Sequence, residues 1–199
     1  MKKLLVFLVA VAVLTVVSTS QGAIRTVSAT AVNTWFVSNT GVLSMGENTS
    51  IDVEFTGGTI TTYEEGWFNF TTTLLSDTSA GGIASGSFTG GDFTYKNSAG
   101  AVLLSGNLSS FAMAEVFNGS GILAGEGQFT VTGGSLQPTF GPSGDIVDIS
   151  FRVNPKGISD FDTDFTGWSD VTVMPVPEPA TMCLMGIGAL GLLRKRNKA

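Results

Sequence analysis

The chain has 199 residues, with 10 Lys and Arg, 16 Asp and Glu, 26 Gly, 14 Phe, one Cys and no His. Without His, and with its one thiol at Cys183 near the C-terminus, it offers no Ser-His-Asp or Cys-His mechanism and no His/Cys zinc site. Between Ile24 and Met174 four basic residues face fifteen acids, a balance of −11, which argues against a nucleic-acid partner for want of a basic face.

Met1-Lys2-Lys3 opens a basic segment, and Leu4 to Val17 is apolar except for Thr15. Small residues close it at Ser20, Gly22 and Ala23. That order is the pattern of a secretory signal peptide over residues 1–23, removed by signal peptidase after Gly22 or Ala23.

From Ile24 onward the pattern is that of short strands. Arg25 to Val32 alternates polar and apolar residues, and Trp35-Phe36-Val37 extends it. Turns are expected at Asn39 to Gly41 and at Met45 to Asn48. Ile51 to Phe55 alternates strictly, and Thr59 to Tyr63 and Trp67 to Leu74 follow the Gly57-Gly58 break. Ser76 to Gly91 is rich in Gly, Ser and Ala and reads as a loop around a short strand at Ile83 to Phe88.

Asp92 to Lys96 and Ala101 to Ser105 form a hairpin pattern, then Leu108 to Phe117 and Ile122 to Thr132 continue the series. Ile146 to Val153 alternates clearly, while Ile158 to Phe165 and Trp168 to Met174 read as the last two strands. About ten short strands without a sustained helical window make residues 24–174 an all-β, antiparallel domain. A β-sandwich and a jelly-roll-like barrel remain equally compatible with the pattern.

Few residues carry chemistry. Asp160, Asp162 and Asp164 resemble the start of a calcium loop, but Phe165 and Val171 stand where that loop needs Gly and Glu. They are weak calcium candidates, and no other cofactor is expected. Glu64, Glu65, Glu115 and Glu126 are the acids available to a carboxylate-dependent glycosidase. Trp35, Trp67 and Trp168, with Tyr63 and Tyr95, are suited either to stacking on sugar rings or to filling a core. Gly186 to Gly191 has the spacing of a dinucleotide fingerprint but lies inside an apolar tail with no strand before it.

The C-terminal 25 residues have three parts. Pro175, Pro177 and Pro179 make residues 175–181 an extended linker. Residues 180–193 are apolar and span about 21 Å as a helix, short against about 30 Å of hydrocarbon. Arg194, Lys195 and Arg196 follow as a basic stop, placing residues 194–199 in the cytoplasm and the domain outside.

Val176-Pro177-Glu178-Pro179-Ala180-Thr181, the apolar stretch and the Arg-Lys-Arg end resemble a PEP-CTERM sorting signal. The resemblance implies recognition by an exosortase-type enzyme with processing near Pro177-Glu178-Pro179. It also implies a Gram-negative-type envelope, transient anchoring in the inner membrane, and a link to an exopolysaccharide or biofilm matrix. It assigns no activity to residues 24–174. The expected protein is non-enzymatic and exported to the cell surface, outer envelope or extracellular matrix, with a carbohydrate-binding module as the alternative and a glycosidase as the third reading.

Overall fold

The computed structural model describes residues 23–140, 146–153 and 158–176. The expected signal peptide, the expected sorting motif at Pro177 to Pro179, the apolar stretch and the basic stop lie outside the described residues.

The described residues form eight strands: β1 (Ile24–Val37), β2 (Val42–Phe55), β3 (Ile60–Asp77), β4 (Ser85–Lys96), β5 (Val102–Glu115), β6 (Leu123–Gly133), β7 (Ile146–Val153) and β8 (Phe165–Pro175). A four-residue helix, α1 (Gln137–Phe140), lies between β6 and β7. Every strand pairs antiparallel with its neighbour in sequence, and β8 closes the ring on β1 through Val27↔Val173 to Phe36↔Phe165. The all-β, antiparallel class is therefore as expected, while the strands form one closed barrel with nearest-neighbour connections in place of the two packed sheets of a sandwich or the Greek-key order of a jelly roll.

Several expected breaks are absent. Gly46 and Asn48 point to a turn at Met45 to Asn48, yet β2 runs through it. β3 likewise continues from Ile60 to Asp77 where two strands were expected, and β5 joins two more. Conversely, Ile158 to Asp164 is a bent segment ahead of β8, not a strand. Glycine inside a strand signals a bulge or a close approach as readily as an end, which is why composition misplaced these boundaries. The long strands bend through register shifts, among them one between Ala29 and Thr34, where Ala31 takes φ 54°. Each shift sharpens the local coil and lets the sheet close on itself.

Eight strands enclose an interior just wide enough for side chains to fill. Here the filling is aromatic. Phe36, Phe68, Phe70, Phe93, Tyr95, Phe111 and Phe129 all point inward and are buried. Phe93 and Phe129 meet at 4.0 Å between ring centroids, and Phe68 and Tyr95 at 4.7 Å. Such rings need small neighbours. A Cβ on the inward-facing Gly106 would stand 2.3 Å from Phe93 Cε1, so this strand position admits only glycine while the ring stays in place. The bulge at Gly91 is equally exclusive: φ is +98°, and a Cβ would fall 1.8 Å from the Thr71 carbonyl oxygen.

Many of the outward positions are polar. Ser28, Asn33, Asn48, Asp52, Asn69, Thr71, Asp92 and Asn107 alternate with the buried residues along β1 to β5. An outer-membrane barrel has the reverse arrangement, an apolar band facing lipid around a polar interior. The wall of this barrel is built to face water. An even number of antiparallel strands also brings Ile24 and Pro175 to the same end of the barrel.

Candidate functional site

The three tryptophans do not enter the core. Trp35, Trp67 and Trp168 are 39%, 45% and 64% exposed, whereas Tyr95 is fully buried and Tyr63 half-buried. Their outward aspect follows from the strand period: Thr34 and Phe36 flank Trp35 and point inward, Gly66 and Phe68 do the same for Trp67, and Ser169 follows Trp168 inward. Thr34 and Ser169 share a buried hydroxyl–hydroxyl hydrogen bond, which ties β1 to β8 directly beneath the exposed indoles.

Register then brings residues far apart in sequence to one patch of wall. Trp35 stands opposite Thr166 on β8 and Ser44 on β2, and Asn33 stands opposite Trp168. Between the two indoles the surface dips into a depression of about 790 Å³, lined among others by Asn33, Gly46, Asp164 and Thr166. The Asn33 amide donates to the Glu47 carboxylate at its edge. Asp164 accepts from the Ser38 backbone N–H and the Ser38 hydroxyl, both at 2.7 Å. These two bonds hold its carboxyl below the usual carboxylate range, so it is ionised at neutral pH.

The three candidate calcium ligands are not gathered. Asp160 accepts from the Asp162 backbone N–H at 3.2 Å and from the Ser159 hydroxyl at 3.0 Å, while Asp164 serves the turn after β1. Phe161, between them, turns inward onto Phe36 and Phe88. Among the described residues no three acidic side chains come together as a metal site would need.

The four glutamates are dispersed as well. Glu64 and Glu65 lie toward the end of the barrel where β3 begins, and Glu64 accepts from the Ser50 hydroxyl at 2.7 Å. Glu115 ends β5 at the opposite end, buried, with its Oε1 accepting from the Gly121 N–H at 2.9 Å. Glu126 faces outward midway along β6. Two buried side-chain polar atoms have no hydrogen-bond partner among the described residues, the Glu115 Oε2 and the Tyr95 hydroxyl. Burial pushes the Tyr95 phenol far up from its ordinary value, so it stays protonated.

The barrel ends at Pro175, which pairs with Val147. Residues 175–197, starting at that same proline, match the PEP-CTERM protein-sorting motif. The chain carries a PEP-CTERM sorting signal. It is thus an exported protein, handled by an exosortase-type enzyme and directed toward the cell envelope or surface. No match to the chain was found among curated proteins or solved structures. Pro175 is at once the last residue of β8 and the first of the PEP-CTERM match, so the sorting signal follows directly on the barrel.

Proposed function

We propose that this PEP-CTERM protein is a non-enzymatic component of the cell surface or extracellular matrix whose barrel binds polysaccharide. One observation carries the reading: Trp35 and Trp168 are both exposed and flank a depression on the barrel wall that also presents Asn33, Asp164 and Thr166. Large apolar side chains left in water on a water-facing wall mark a binding surface. Flat indoles next to amide and hydroxyl groups match a sugar ring, which has an apolar face and a rim of hydroxyls.

The dispersal of Glu64, Glu65, Glu115 and Glu126 supports binding over hydrolysis, because glycoside cleavage needs two carboxyls flanking one bond. Export by a cleaved signal peptide and transient anchoring through residues 180–193 complete the proposed route. Affinity electrophoresis of the full chain in gels containing polysaccharide tests the reading. Retardation that is lost in Trp35→Ala and Trp168→Ala supports it. Unchanged mobility of the parent in every polysaccharide gel, or unchanged retardation in both variants, contradicts it.

A further inference from the structure

The depression between Trp168 and Trp35 does not end at Trp35. The indole of Trp35 lies across β2 above Gly46, where a Cβ would stand 3.3 Å from Trp35 Cη2 and 3.7 Å from Asn69 Oδ1. Gly46 pairs with Asn69 on β3, and Trp67 lies two residues before Asn69 on the same outward face. All three tryptophans therefore point outward along one arc of the curved wall, Trp168 on β8, Trp35 on β1 and, beyond β2, Trp67 on β3. Three interstrand steps of about 4.8 Å each separate the first from the last, roughly 14 Å of wall.

Between the indoles the wall carries amides that can hydrogen-bond hydroxyls, those of Asn33 and Asn69. Beyond Asn69 the same row continues as Thr94 on β4 and Ser105 on β5, short side chains that leave the surface open. A site for a chain end would need a closed wall at one side; this one is open along the row. Its charge also discriminates. The ionised Asp164 and the Glu47 carboxylate stand beside the Trp168–Trp35 depression. Polyuronates and other polyanions would be repelled there.

We propose that this face is an extended track for the interior of an uncharged polysaccharide, with stacking positions at Trp168, Trp35 and Trp67, the chain running across the strands. This rests on the polysaccharide-binding reading above and specifies its ligand class and extent. Ile24 and Pro175 both lie at one end of the barrel, so neither end of the ring of strands crosses the side wall that would hold the ligand.

The test uses the full chain and three probes: neutral polysaccharides of the cellulose, xylan, mannan and dextran types, alginate as the acidic comparison, and oligosaccharides of two to six units from whichever neutral polymer binds. Affinity is expected for at least one neutral polymer and not for alginate, and it should rise with oligosaccharide length. Trp67→Ala is expected to weaken the six-unit ligand by about tenfold or more, the loss typical of one stacked ring. Binding of the two-unit ligand should stay within about twofold of the parent, because a short ligand occupies the Trp168–Trp35 depression alone. As Trp67 is surface-exposed, an unchanged unfolding midpoint confirms that the variant is folded. If Trp67→Ala leaves the six-unit affinity intact while Trp35→Ala abolishes it, the track is wrong and the smaller site stands. If alginate alone binds, or no neutral polymer does, the ligand class is overturned. Indifference to all three substitutions removes the site itself.

Discussion

Trp35 and Gly46 are matched across neighbouring strands: the indole rests over a position that has no side chain, with room for a Cβ only 3.3 Å from its Cη2. A side chain there tilts the ring off the wall. Gly46→Val is therefore expected to lower polysaccharide affinity by about tenfold while changing stability by about 1 kcal/mol or less, since a β-branched residue suits an outward strand position. Affinity electrophoresis read beside a urea unfolding curve separates the two effects. A variant that binds as the parent does shows that the placement of the ring is unimportant.

Inside the barrel the relationship is reversed, with glycine making room for a ring that cannot move. Gly106→Ala forces its Cβ against Phe93 and also within 2.7 Å of the Thr130 carbonyl oxygen. Overpacking of this kind costs about 1–3 kcal/mol. The denaturant midpoint should fall with little change in slope, and Phe93→Leu in the same chain should recover part of the loss. Full stability of Gly106→Ala contradicts the tight packing of Phe93 and Phe129.

Two carboxylates tie the closing segment of the barrel to its neighbours. Burial raises the Asp77 carboxyl, but hydrogen bonds from Ser79 and from the Phe161 backbone N–H outweigh it and bring it below the usual value. Asp164 is lowered by the Ser38 backbone N–H and hydroxyl. Both are depressed in the folded state, so their stabilisation is present above about pH 4 and is lost as pH falls through the folded values. Stability of the parent should drop between about pH 4 and pH 2, and the doubly substituted Asp77→Asn, Asp164→Asn chain should drop less over that range. Thermal unfolding at a series of pH values measures this, and parallel profiles for the two chains would exclude the assignment.

The sorting signal makes a separate prediction. Replacing Pro177, Glu178 and Pro179 with Ala should leave the chain full length and in the membrane fraction. Intact-mass measurement reads the outcome directly. C-terminal processing at the parental position in this variant would show that the motif is not what the enzyme reads.

The sorting signal was fully legible in the sequence because it is linear: Pro177-Glu178-Pro179, the apolar stretch and Arg194 to Arg196 follow one another along the chain. Fold class was legible for a related reason. Alternation along segments such as Ile51 to Phe55 is a local consequence of two-residue strand geometry. Strand ends were less so, because the same glycine that ends one strand lies under Trp35 in another.

What only the tertiary structure decided is the face that each tryptophan takes and which neighbours it meets. Positions 35, 67 and 168 are distant in the chain, and a register shift of one residue would turn any of them into the core. Closure of β8 onto β1 sets Trp168 beside Asn33, and the bulge at Ala31 adjusts the register that keeps Trp35 outside. The core has no vacancy for these indoles, because buried phenylalanines already fill an eight-stranded interior. Composition supplied rings enough for both a core and a surface, and closure of the barrel allotted them.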